Sequence, residues 1–173
     1  MRAQVMKQLK ILFTLFSVLF LASLGYLISL PAETTLSAEL NTDIPRPVAF
    51  KQLVLTATHQ PYLASAAFDS VRITFHYFKN HQTLPVTYRP VIDFNHYRLI
   101  FKPVSILNPV QPFKTIKHTI HLQKLADGST SIHWGMHYRI SGLLPRLLNR
   151  YFWQAQLRHF LKRHIAELKT YFP

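Results

Sequence analysis

Ten histidines and seven carboxylates are the side chains from which this 173-residue chain could assemble acid–base or metal chemistry. Their spacing favours neither. His133 and His137 share one face of an expected strand. At ~3.3 Å per residue they stand about 13 Å apart, too far to share a zinc whose bonds to nitrogen are ~2 Å. His159 and His164, five apart on an expected helix, do not face each other. His118 and His121 point to opposite faces of a strand. No metal site is expected. Within the sheet-and-helix region, Asp69 has no visible partner, Asp93 and Asp127 fall in turns, and Glu167 falls on an outer helix face. No pair converges as general acid–base catalysis requires. The chain has no G-x-S-x-G elbow and no P-loop. Its lack of cysteine excludes thiolate chemistry and disulfides. No catalytic residue and no cofactor is assigned.

The pattern that does emerge is apolar. Alternation with period two places Val71, Ile73, Phe75 and Tyr77 on one face of a strand within Phe68–Phe78. A weaker strand over Pro85–Ile92 carries Tyr88, and its Pro90 signals an edge or a bulge. Leu99 and Phe101 alternate in Tyr97–Pro103. Ile116, His118 and Ile120 share a face in the next strand. Ile132, Trp134, Met136, Tyr138 and Ile140 share one in the strand after Asp127-Gly128. That dipeptide is a hairpin signal, since both positions accept positive φ. The face of the sheet toward the core therefore nominates Ile73, Phe75, Tyr77, Tyr88, Leu99, Phe101, Ile116, His118, Ile120, Trp134, Met136 and Tyr138. Such walls, apolar with a few polar groups, suit a hydrophobic ligand, and they equally suit a filled core. Tyr77, His118 and Tyr138 are the informative members, because a buried phenol or imidazole needs a hydrogen-bond partner.

Further elements frame this sheet. Thr35–Leu40 reads as a first strand and Val48–Leu55 as a short helix behind Pro45 and Pro47. Lys79–Gln82 and Asp93–His96 read as turns, and Ile106–Phe113, with Pro109 and Pro112, as a loop. After Ser141-Gly142, helical spacing begins at Leu143 and continues almost to the end. Leu147, Leu157, Leu161, Ile165, Leu168 and Phe172 lie near one stripe. A helix of about 28 residues is expected to lie across a curved antiparallel sheet and bury that stripe. Arg146, Arg150, Arg158, Lys162 and Arg163 supply its polar surface.

Ile11–Leu30 carries no charge and follows Arg2, Lys7 and Lys10. At ~1.5 Å per residue it reaches roughly 30 Å, the thickness of a bilayer core. A retained single-pass anchor and a cleaved signal peptide both fit. The run exceeds the roughly 7–15 residues usual for a signal core, and Tyr26-Leu27-Ile28 continues it past the small residues at Ser23–Gly25, which favours the anchor. The positive-inside rule keeps residues 1–10 cytoplasmic and sends the domain to the periplasmic side of an inner membrane. Residues 31–34 read as a tether and 35–173 as one domain. The chain holds 20 basic and 7 acidic residues. Setting aside the three basic residues of the tail leaves the domain about +10, a field that attracts anionic partners. Nucleic acid is not expected in that compartment. Lipid headgroups are nearer, with ~1 kcal/mol of attraction for each cation at the surface, and a solvated basic face is the plainer alternative.

The run from Asp127-Gly128-Ser129-Thr130-Ser131-Ile132-His133-Trp134 through Tyr138-Arg139-Ile140 to Ser141-Gly142, followed by a helix ending Leu161…Leu168…Phe172, resembles the last hairpin and closing helix of the START-like (SRPBCC) superfamily. That group includes polyketide cyclase/dehydrase-like, coenzyme Q-binding and birch-pollen-allergen-like proteins. The resemblance spans roughly 34–172 and is strongest over 115–172. It implies an α+β helix-grip fold, a curved sheet around a long C-terminal helix with an apolar cavity between them. It further implies binding of a lipid, quinone or other hydrophobic small molecule. Two alternatives stand beside that expectation. One is a cyclase or dehydratase using His118 or Tyr138. The other is a non-catalytic envelope assembly factor acting on a protein partner through Arg150 and Arg158. The N-terminal span is a departure from many relatives.

Overall fold

The computed structural model describes residues 2–59, 73–76, 85–106 and 113–172. Tyr77, Asp69, the Lys79–Gln82 turn and most of the segment between Ile106 and Phe113 lie outside them. The chain opens with helix α1 (Arg2–Ser29), then β1 (Glu33–Thr42) and α2 (Arg46–His59). Strands β2 (Ile73–His76), β3 (Pro85–Asp93), β4 (Arg98–Ile106), β5 (Phe113–Lys124) and β6 (Thr130–Ile140) follow. Helix α3 (Leu143–Leu148), a π-helical turn (Asn149–Trp153) and α4 (Gln154–Lys169) close the chain. All strands form one antiparallel sheet in the order β1-β6-β5-β4-β3-β2, so the first strand pairs with the last.

Period-two alternation decides which face is buried. In β5 and β6 the apolar set points inward, and Lys117, His121, His133, His137 and Arg139 take the other face. On that outer face Glu39 sits 3.7 Å from His133, and Glu33 lies 3.9 Å from both His137 and Arg139. These two glutamates therefore also belong to the sheet, but on the side away from the core. The inner face meets Leu157, Phe160, Leu161, Ile165 and Leu168 of α4, with Ala49, Phe50, Leu53 and Val54 of α2 in the same core. The β3–β4 register slips at Thr87/Tyr88, two residues before Pro90, which itself pairs with Phe101 in the regular register.

Three local features differ from the sequence expectations. The Asp127-Gly128 hairpin is a three-residue loop in which only Gly128 has positive φ, at +88°. Leu125 N–H donates to Ser129 O at 2.9 Å and Gly128 N–H to Leu125 O at 3.1 Å. This is a type I turn closed by a left-handed glycine, which suits the strand twist without a second positive φ. Strand β1 starts at Glu33, leaving Leu30, Pro31 and Ala32 between α1 and the sheet. The long terminal helix is not uniform. At the π turn the Gln154 N–H bonds to Asn149 O, five residues back. That wide turn lets Asn149 and Trp153 both face the domain, Asn149 buried and Trp153 against Phe113 at 5.3 Å.

Helix α1 stands apart from the core. Its Met6–Ser29 stretch is 24 residues long, its most apolar 18-residue window has a mean hydropathy of 2.3, and none of that window is covered by the domain. The hydroxyls of Thr14, Ser17, Ser23 and Ser29 all donate to carbonyls of the same helix, at 2.7–2.9 Å. A helix in hydrocarbon must satisfy its polar groups internally in this way.

Candidate ligand-binding interior

Strand register brings most of the nominated residues into rows. Leu99 faces Ile120, which faces Trp134; Phe101 faces His118, which faces Met136; Ile116 faces Tyr138. All of these, with Tyr88, are buried in one core. Ile73 and Phe75 lie on β2 opposite Tyr88 and Val86 in the backbone register. Tyr77 lies outside the described residues.

His118 is the polar centre of the wall. The Trp134 Nε1–H donates to His118 Nδ1 at 3.1 Å, so the ring proton belongs on Nε2. Among the described residues four rings stand around it: Tyr88 edge-on at 5.3 Å, Trp134 and Phe160 each at 6.1 Å and Phe101 at 6.4 Å. Burial, with a smaller contribution from nearby His164, lowers its pKa from 6.5 to about 3. The imidazole is thus neutral near pH 7, a hydrogen-bonding group poorly matched to general-base work.

His164 was not foreseen in this role. It is half-buried on α4, 4.0 Å from the Phe160 ring and 5.9 Å from the Trp134 ring. Its Nδ1–H donates to Phe160 O at 2.9 Å, and burial lowers its pKa. Tyr138 is tied elsewhere. Its hydroxyl donates to Asn149 Oδ1 at 2.9 Å, and Asn149 Nδ2 reaches Thr34 Oγ1 at 3.4 Å. Burial raises the phenol pKa. The Tyr138–Asn149–Thr34 chain thereby fixes β1, β6 and the π turn together. Asn149 carried one sequence signal, a poor helix former four and eight residues before the apolar Trp153 and Leu157.

The five basic residues assigned to the outer surface separate into three settings. Arg146 is half-buried, its Nη1 3.4 Å from Leu30 O at the end of α1. Arg163 pairs with Glu167 at 3.7 Å. Arg150, Arg158 and Lys162 line a shallow cleft of about 450 Å³ with Gln154, Ala155 and His159. Among the described residues no group of three histidines or carboxylates gathers as a metal site would.

A curved antiparallel sheet closed by a long C-terminal helix, with first and last strands paired, is the helix-grip fold of START-like proteins. Solved structures with this fold agree over most of the chain. A Thermus thermophilus protein, TTHA0849, matches with a TM-score of 0.62 at 12% identity, covering 80% of this chain and 97% of that one. The Zhui aromatase/cyclase of a Streptomyces species matches at 0.53 and 10% identity, covering 79% and 94%. A Thalictrum norcoclaurine synthase variant in complex with a transition-state analogue matches at 0.52 and 12%, covering 79% and 96%. No family model and no curated protein matches the sequence.

Proposed function

We propose that this protein is a membrane-anchored binding protein whose apolar interior takes up a lipid, a quinone or another hydrophobic small molecule. One observation supports the reading: a buried face of apolar residues from three or more strands, in which Tyr88, His118, Trp134 and Tyr138 carry polar atoms, belongs to a domain joined through three residues to a helix suited to hydrocarbon. The neutral imidazole, held by the Trp134 indole N–H, places a polar group in this wall without an ionic charge that a ligand would have to match. Apolar burial would supply affinity at ~25 cal/mol per Å². In this reading α1 is a retained inner-membrane anchor with its basic end in the cytoplasm and the domain on the periplasmic side. The anchor holds the binding site at high effective concentration beside its lipid source.

Mass spectrometry of small molecules released from the detergent-extracted full chain tests the reading. A stoichiometric apolar molecule is expected. A sample that releases none, and that takes up no fluorescent lipid after delipidation, removes it. The intact mass of the mature chain checks whether α1 is retained.

A further inference from the structure

We infer that the segment Leu143–Trp153 and the outer face of α4 dock the domain onto the anionic headgroup layer of the same bilayer that α1 crosses. The inference rests on the membrane-anchored reading above and adds a second contact to it.

Chain geometry sets the depth. The Met6–Ser29 stretch spans about 36 Å at ~1.5 Å per residue, against a hydrocarbon core of ~30 Å, so each end reaches the headgroup boundary. Strand β1 leaves that end directly, and its partner β6 returns to it: the Ile140 N–H donates to Ala32 O at 2.8 Å. Helix α3 therefore begins level with the end of the span. Arg146 meets Leu30 O, and the Tyr151 hydroxyl lies 3.0 Å from that of Tyr26, three residues before the span ends.

At this depth the segment turns its apolar side chains outward. Leu143 is 39% exposed, Leu144 65%, Tyr151 59% and Phe152 60%. Water is a poor solvent for such a cluster, whereas the boundary of a bilayer accepts tyrosine, phenylalanine and leucine. The cationic cleft follows at once along the helix. Arg150, Arg158 and Lys162 lie at i, i+8 and i+12, on one face, and among the described residues no carboxylate pairs with them. Apolar groups at the span's exit with cations beside them complement the acyl boundary and the phosphates above it.

The absence of cysteine makes site-specific labelling straightforward. The full chain, carrying a bimane on a single cysteine, is placed in vesicles of phosphatidylcholine with or without phosphatidylglycerol. Lipid-borne nitroxide quenchers then report contact. Val18→Cys reports the anchor, Leu144→Cys and Phe152→Cys the docking face, and Ala126→Cys the far hairpin, about 36 Å along β6. Quenching is expected at residues 18, 144 and 152 and not at 126. At residue 152 it strengthens with phosphatidylglycerol, and that gain is lost in high salt and in Arg150→Glu/Arg158→Glu/Lys162→Glu. Labels at 144 and 152 behaving like 126 while 18 is quenched would overturn the docking and leave the anchor standing. An unquenched label at 18 would overturn both. Equal quenching at 152 in the two lipids, unchanged by the triple variant, would overturn the anionic headgroup assignment.

Discussion

The two halves of the C-terminal helical run are built inside out relative to each other. Helix α4 buries Leu157, Phe160, Leu161, Ile165 and Leu168 and exposes Arg158, Lys162 and Arg163. The α3–π half buries Asn149 and exposes Leu143, Leu144, Tyr151 and Phe152. The π turn joins them. Polarity that is inverted over so short a distance shows that the run answers to two surroundings: the core of a grip-shaped domain on one side and the rim of α1 on the other. What differs is the medium each face meets.

The contrast predicts unequal responses to the same chemistry. Leu161→Ala opens a cavity under α4 and should cost ~2–5 kcal/mol. Leu144→Ala in detergent micelles should change the unfolding midpoint little, since its side chain covers no core. Parallel chemical denaturation of the two variants measures this, and comparable losses would erase the distinction. Asn149→Ala leaves the Tyr138 hydroxyl without its acceptor and should cost ~1–3 kcal/mol. A matching loss in Tyr138→Phe, with the double variant adding little, would locate the effect in that bond.

Proton linkage offers a third test. His118 has a folded pKa of about 3, below its unfolded value of 6.5. Between those values the unfolded chain holds the extra proton, so stability is full above pH 6.5 and falls as the pH drops toward 3. The slope from this group approaches ~1.4 kcal/mol per pH unit inside that window. His118→Gln keeps an acceptor for Trp134 and should flatten the profile measured by thermal unfolding. An unchanged slope would show that other groups dominate acid unfolding. A smaller effect than those of Leu161 and Asn149 belongs to Tyr151→Phe, which removes one hydroxyl contact with Tyr26 and should cost ~0.5–1.5 kcal/mol in detergent. Its clearest readout is increased protease access at Pro31-Ala32.

How much of this was legible in the residues follows from the physics of each element. The inward set of β4, β5 and β6 could be read because a period of two leaves no freedom once one face is buried. The α4 stripe was readable for the same reason at 3.6 residues per turn. The π turn was not, since one inserted residue alters no composition; its trace is the ten-residue gap between Leu147 and Leu157 in the apolar stripe. Asn149 and His164 were missed because a polar residue near an apolar stripe announces neither its burial nor its partner. Arg146 was grouped with the other outer cations, yet tertiary packing ties it to Leu30 O. The interior nominations at Tyr88, Leu99, Phe101, Ile116, His118, Ile120, Trp134, Met136 and Tyr138 are buried as alternation requires, while their contact with a ligand is what the mass-spectrometric experiment addresses.

Only Leu30, Pro31 and Ala32 separate α1 from the first strand, and Ala32 O is already held by Ile140. Three extended residues span at most ~11 Å. With α1 as the retained anchor proposed above, a module moored so tightly would not commute between facing membranes as a ferry does; it would behave as a fixed wharf. Any cargo it binds would then arrive and depart by drifting laterally in one leaflet, or be passed to a neighbour that comes alongside.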